Sequence, residues 1–110
     1  MKPEQFDRMF QALADPYRRS MVERLARGPA TVSELAEPIH IALPSALKHL
    51  KVLEDGGIVQ SEKSGRVRTY RMQRDALKSV AEWVRLREAQ MNKAFDRLVE
   101  AMTETPEKDD

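Results

Sequence analysis

The sequence predicts a mainly α fold with a small β-hairpin wing, in the order α-α-α-α-β-β-α. Three observations carry this. Apolar residues recur at the three- and four-residue intervals of a helix face along most of the chain. Capping and breaking residues at Asp15, Gly28, Thr31, Pro38 and Gly56 cut the first half into short helices. Residues 58–71 depart from that pattern: two short β-branched runs flank a glycine, as in a hairpin.

Each element has its own signature. "EQFDRMFQAL" puts Phe6, Met9, Phe10 and Leu13 on one face of a first helix. Asp15 caps a second, with Pro16 at its first position, where a missing N–H costs nothing. Met21, Val22, Leu25 and Ala26 form its apolar stripe, and Gly28-Pro29 ends it. Thr31 and Glu34 have capping-box spacing, which starts a third helix that Pro38 keeps to about two turns. "LPSALKHLKVLED" is the fourth, from Leu43 to Asp55, with Gly56 or Gly57 supplying a left-handed residue after it. Ala42 is a poor N-cap, so packing, Ser45 or a ligand must hold the start of this helix. Ile58-Val59 and Val67–Tyr70 read as strands around the tip "KSGR", where Gly65 takes a positive φ. A last helix runs from about Asp75 to Met102, with Leu77, Val80, Val84, Met91, Phe95, Leu98 and Met102 in one stripe, broken by Arg87 and edged by Trp83. Residues 1–102 therefore read as one domain, and the acidic tail 103–110 as disordered.

Composition narrows the function. With 110 residues, the chain builds a thin core, which favours association with a second copy. The absence of cysteine excludes a disulfide framework, a Cys-based zinc site and a thiol nucleophile. No apolar run approaches the roughly 20 residues that span a bilayer, and the charged start "MKPEQFDRMF" is not a signal peptide. No Gly-rich phosphate loop or Ser/His/Asp set suggests an enzyme. The net charge of +1 conceals an uneven distribution: residues 45–74 carry 7 basic and 3 acidic side chains, whereas residues 75–110 carry 6 and 9. A basic middle block points to an anionic partner met by that block.

Two short helices, a tight turn between them and a following basic hairpin make a winged helix-turn-helix. A B-DNA major groove admits one α-helix, and the second helix of such a pair lies there with its N-terminal half toward the bases. The fourth helix buries Ala46, Leu50 and Leu53 and turns Ser45, Lys48, His49 and Lys51 outward. Lys63, Arg66 and Arg68 on the hairpin reach phosphate and add affinity more than specificity. Two readings stay open for His49, as a DNA contact or a packed side chain bonded to the next helix. Leu47 is assigned to the core, with a thymine methyl as the other option. Arg18 and Arg19 face either phosphate or water.

"LADPYRRSMVERLARGPATVSELAE" and "LPSALKHLKVLEDGGIVQSEKSGRVRTYRM" resemble the ArsR/SmtB family of bacterial transcriptional regulators, over about residues 5–100. The resemblance implies a homodimeric repressor on double-stranded DNA, binding a palindromic operator and often its own promoter, in the bacterial cytoplasm and nucleoid. It implies a dimer interface on the first and last helices, here Phe6, Phe10, Val84, Met91, Phe95 and Leu98. The chain departs from metal-sensing members: the third helix has no cysteine, the last helix no cysteine or histidine, and His40 and His49 are the only histidines. No metal, cofactor or membrane partner is expected, and the sequence identifies no effector. The competing reading is a winged-helix module that docks on protein without specific DNA binding.

Overall fold

The computed structural model describes residues 2–104. The element order is α1 (Pro3–Leu13), α2 (Pro16–Leu25), β1 (Ala30–Thr31), α3 (Val32–Ala36), a 3-10 turn (Glu37–Ile39), α4 (Leu43–Asp55), β2 (Val59–Ser64), β3 (Val67–Met72) and α5 (Lys78–Glu104). A first compact unit ends at Leu77 and a second, containing α5, begins at Lys78.

The core lies in the first unit. Met9 and Ala12 of α1, Met21 and Leu25 of α2, Leu35 and Ala36 of α3, and Ala46, Leu50 and Leu53 of α4 are buried together with Ile58, Val59 and Tyr70 at the root of the wing. The apolar face of α1 is therefore divided. Met9 faces this core, while Phe6 is half-buried and Phe10 exposed, their rings 5.3 Å apart.

Local chemistry sets the helix ends. The Asp15 carboxylate accepts from the Tyr17 and Arg18 backbone N–H groups, and Thr31 with Glu34 forms the complete capping box. Helix α3 is shorter than expected, because Pro38 lies within the 3-10 turn that follows it, and His40 closes that turn in the left-handed region (φ 56°). At the end of α4, Gly57 takes φ 74°, its N–H donates to Glu54 O and the Ile58 N–H donates to Leu53 O. That pair of bonds is a Schellman closure, and the buried Leu53 and Ile58 supply its apolar contact.

The hairpin pairs Val59 with Met72 through Ser64 with Val67, leaving Gly65-Arg66 as a two-residue turn. Gly65 has φ 62° and Arg66 is not in the positive-φ region, the pattern of a type II′ turn. The sheet has a third strand that local pattern did not suggest: β1 pairs with β3, Ala30 opposite Tyr70 and Thr31 opposite Thr69. Helix α5 begins at Lys78, not near Asp75, because Asp75 takes φ 58°, which a right-handed helix cannot contain. At its other end Thr103 and Glu104 are helical, not disordered. The rest of the expected disordered tail, residues 105–110, lies outside the described residues.

Gly56 is buried where α1 crosses the end of α4. A Cβ there would stand 3.1 Å from Arg8 O, 3.3 Å from Ala12 Cβ and 3.4 Å from Val52 O. Its φ of −81° suits any residue, so crowding alone decides the outcome. Gly56→Ala should cost about 1–3 kcal/mol, as small-to-large core changes do. Urea unfolding should show a lower midpoint with an unchanged slope.

Candidate nucleic-acid interface

Burial of Ala46, Leu50 and Leu53 turns the opposite side of α4 to solvent. Pro44, Ser45, Lys48, Lys51 and Val52 are exposed there. Lys48 makes no ion pair or hydrogen bond among the described residues. Lys51 donates to Asp55 Oδ1 at 2.8 Å, and that bond raises its ammonium pKa above the ordinary value. Both partners are exposed, so the pair is weak and can exchange for a phosphate. Leu47 is 46% exposed on the flank of this face, which corrects its assignment to the core. No side chain caps the start of α4, so the N–H groups of Leu43 and Ser45 have no side-chain partner.

His49 is half-buried at the edge toward α2. Its Nδ1 is 3.1 Å from Arg18 Nη1 and 4.0 Å from Asp15 Oδ1, and its ring centroid is 5.7 Å from that of Tyr17. His49 is therefore packed, and its partners are on α2, not on the next helix. Arg18 is held on the end of α1: Nε donates to Ala12 O (2.8 Å) and Nη2 to Gln11 O (3.1 Å). Arg19 Nη1 donates to Leu13 O at 2.8 Å. The last turn of α1 holds no basic residue of its own, so two arginines of α2 satisfy its terminal carbonyls and the negative end of its dipole. Tyr17, exposed beside His49, neighbours the exposed face of α4 without any local sequence signal, since nothing local brings α2 to α4.

On the wing, Lys63 and Arg68 are cross-strand partners, and Arg66 occupies the turn. Lys63 and Arg66 make no ion pair or hydrogen bond among the described residues. Arg68 Nη1 donates to Ser61 Oγ (2.8 Å), which donates to Glu54 Oε2 of α4 (3.1 Å). This relay ties the wing to α4, and neither Ser61 nor Glu54 carried a sequence signal for it. Burial, then Glu54, pushes the Tyr70 hydroxyl pKa up against the opposing Arg68. Arg71 pairs with Glu62 at 3.4 Å on the other face. Arg66 and Arg68 also border a groove of about 260 Å³ with Thr31, Val32, Ser33 and Val67.

Helix α5 buries none of its side chains. Val84, Met91 and Leu98 recur at seven-residue intervals, with Phe95 and Met102 four residues after Met91 and Leu98, and all five are exposed. That is a seam of the kind that pairs with another helix. Arg87, which interrupts the stripe in sequence, lies with its guanidinium carbon 5.1 Å from the Trp83 ring centroid. Among the described residues, no group of three or more His, Asp or Glu side chains is placed to hold a metal, and no helix is long and apolar enough to cross a membrane.

A helix-turn-helix domain model matches residues 13–62. The chain is 46% identical over 66 residues to the HTH-type transcriptional regulator Rv2034 of Mycobacterium tuberculosis, covering 60% of this chain. It spans 62% of that relative's length and about half the length of the transcriptional repressor SmtB of the same species, to which it is 38% identical over 64 residues, or 58% of this chain. Among solved structures it is similar to an ArsR family transcriptional regulator, with TM-score 0.77 and 47% identity over 84% of this chain and 95% of that one. It is also similar to the homodimeric winged helix-turn-helix DNA-binding domain Mb0332 of Mycobacterium bovis, with TM-score 0.61 and 26% identity over 86% of this chain and 84% of that one.

Asp15 provides a test of how α2 is capped. Desolvation raises its pKa, but backbone N–H bonds from Arg18 and Tyr17, then the attraction of His49 and of Arg18, outweigh it and hold the carboxyl below the ordinary 3.8. A depressed folded pKa gives stability that is fully present above the unfolded value and lost as pH falls through the folded one. Asp15→Asn should therefore melt below wild type at pH about 6, and the gap should close as pH drops below about 3.8. Thermal melts across that range check it.

Proposed function

The chain belongs to the ArsR/SmtB family of winged helix-turn-helix proteins, and we propose that it is a DNA-binding transcriptional regulator that represses as a homodimer on a palindromic operator, including one at its own promoter. The observation that carries this reading is the exposed face of α4, which carries Lys48, on a helix whose first N–H groups have no side-chain cap. A helix N-terminus favours phosphate, and a lysine beside it can reach base edges. Ser45, Lys48 and Lys51 contact DNA from the groove, with Leu47 available to a thymine methyl. Lys63, Arg66 and Arg68 hold the flanking backbone from the wing. His49 and Tyr17 border that surface. The protein acts on the chromosome in the cytoplasm and has no catalytic role.

One recognition helix reads only a few base pairs, and two must be held about 34 Å apart to read half-sites one turn apart. The exposed seam of Val84, Met91, Phe95 and Leu98 on α5, with Phe6 and Phe10 of α1, is proposed to meet its copy in a second chain. Met9, which shares α1 with them, belongs to the core and not to that interface. Large apolar side chains buried this way contribute about 1.5–3 kcal/mol each before association entropy is subtracted.

DNA fragments retained by the protein from its own genome supply the operator. On such a fragment, Lys48→Ala should lose about 1–3 kcal/mol of discrimination against random DNA. Arg66→Ala should leave the preferred sequence unchanged and flatten the log–log salt dependence by about one to two units per dimer. Equal binding to operator and random DNA by the wild type would favour the protein-docking alternative.

Charge in the seam tests the dimer. Leu98→Asp should give monomers by sedimentation and abolish palindrome binding, because a buried unpaired carboxylate costs far more than the lost contact. A folded dimer with unchanged operator affinity would place the interface elsewhere.

A further inference from the structure

One cluster in the first unit joins α1, α2 and α4 without belonging to the exposed cationic face or the wing. A guanidinium only donates hydrogen bonds, so the 3.1 Å contact between Arg18 Nη1 and His49 Nδ1 is a hydrogen bond only when Nδ1 is the acceptor. Arg18 cannot turn away freely, because Nε and Nη2 are bound to Ala12 O and Gln11 O. With Nδ1 as acceptor, His49 ties the middle of α4, through Arg18, to the C-terminal carbonyls of α1.

We propose that Arg18 and His49 are positioning residues for the reading helix: the neutral imidazole latches α4 against the end of α1, and protonation of His49 opens the latch and weakens DNA binding. The proposal rests on α4 being the DNA-reading element. A proton on Nδ1 removes the acceptor and sets a cation against the guanidinium. The remaining acceptor near Nδ1 is Asp15 Oδ1 at 4.0 Å, so the protonated ring turns from Arg18 toward Asp15. Tyr17 flanks the ring on the same side. The other charges packed around α4 lie on different faces: Arg8 of α1 borders a groove with Asp55, Glu54 is bonded to Ser61 of β2, and Glu34 of α3 is held in its capping box. Among the described residues, no hydrogen bond or ion pair joins His49 to a charged group of α1, α3 or the wing. Arg18 and Asp15, opposite in sign and both from the start of α2, therefore govern its response.

The sign of the effect separates this role from a direct contact. An imidazolium facing phosphate would strengthen binding on acidification, whereas an opened latch weakens it. Histidine changes charge between about pH 5 and 8. Wild-type affinity for a retained genomic fragment, at constant ionic strength, should fall about tenfold from pH about 7.5 to 5.5, the scale of one lost charge-assisted hydrogen bond. His49→Asn keeps an acceptor near the position of Nδ1 but does not titrate. It should bind within about twofold of wild type at the higher pH and show no such fall. A wild-type affinity that is flat or rises on acidification overturns the latch, as does an equal fall in His49→Asn. Loss of the helical circular dichroism signal at the lower pH assigns the change to unfolding and also overturns it.

A DNA-free arm keeps the two readings distinguishable. Nitrogen-15 NMR of the His49 ring should show Nδ1 unprotonated and Nε2 protonated at pH about 7.5, with the bias lost in Arg18→Lys. A protonated Nδ1 at that pH overturns the latch. If the protein binds no DNA at any pH, the regulatory reading fails, while the tautomer still decides whether the latch exists.

Discussion

The burial of Ala46, Leu50 and Leu53, each with no exposed surface, fixes the rotation of α4 about its own axis, and the candidate interface depends on that rotation. With those three residues inward, helical geometry leaves Pro44, Lys48 and Lys51 outward, His49 on one flank and Leu47 and Glu54 on the other. A turn of one residue would bury Leu47 and expose Leu50, at a cost of roughly 1.5–3 kcal/mol for each large side chain misplaced. The Schellman closure at Gly57 and the close approach of Gly56 to α1 fix the far end of the helix. Its near end has no cap of its own, so the helix is anchored by packing and by its C-terminus, and its N-terminal N–H groups stay open.

Basic side chains in the first unit have two separate uses. Arg18 and Arg19 neutralise the carbonyl end of α1, a structural duty that a helix with no basic last turn must delegate. Lys48, Lys63 and Arg66 have no such duty. Lys51 and Arg68 are intermediate, each held by a neighbour but still exposed. Counting cations in the sequence cannot make this distinction. It follows from which carbonyls and carboxylates lie within hydrogen-bond reach after folding.

Much of the architecture was legible because local chemistry and tertiary packing agree in it. The Asp15-Pro16 start, the Thr31/Glu34 capping box, the Leu43–Asp55 span and the Gly65 turn all form as the residues suggest. Strand β1 was not legible, because two residues carry no alternation and pair only once β3 is in place. The start of α5 was misplaced because Asp75 is polar and N-cap-like in sequence, and its left-handed φ comes from the turn around it. Leu47 was assigned inward by residue type, while its position on the helix decides otherwise. The roles of Arg18, His49, Ser61 and Glu54 depend on contacts 7 to 31 residues apart, which no local pattern encodes. The face of α4 and the hairpin tip, set by period and turn chemistry, were the readable part of the site.

The charge distribution explains how a chain of net charge +1 can suit a polyanion. At physiological ionic strength, charges farther apart than about 8 Å are largely screened from one another. A phosphate at the α4–wing surface therefore responds to the side chains immediately around it, drawn from residues 45–74 with their 7 basic and 3 acidic groups. The acidic excess in residues 75–110 keeps the whole molecule from the large net charge that binds any polyanion indiscriminately. Separating the signs along the chain thus allows a cationic reading surface without a cationic protein. Weak non-specific attraction then leaves more of the discrimination to the side chains that α4 presents.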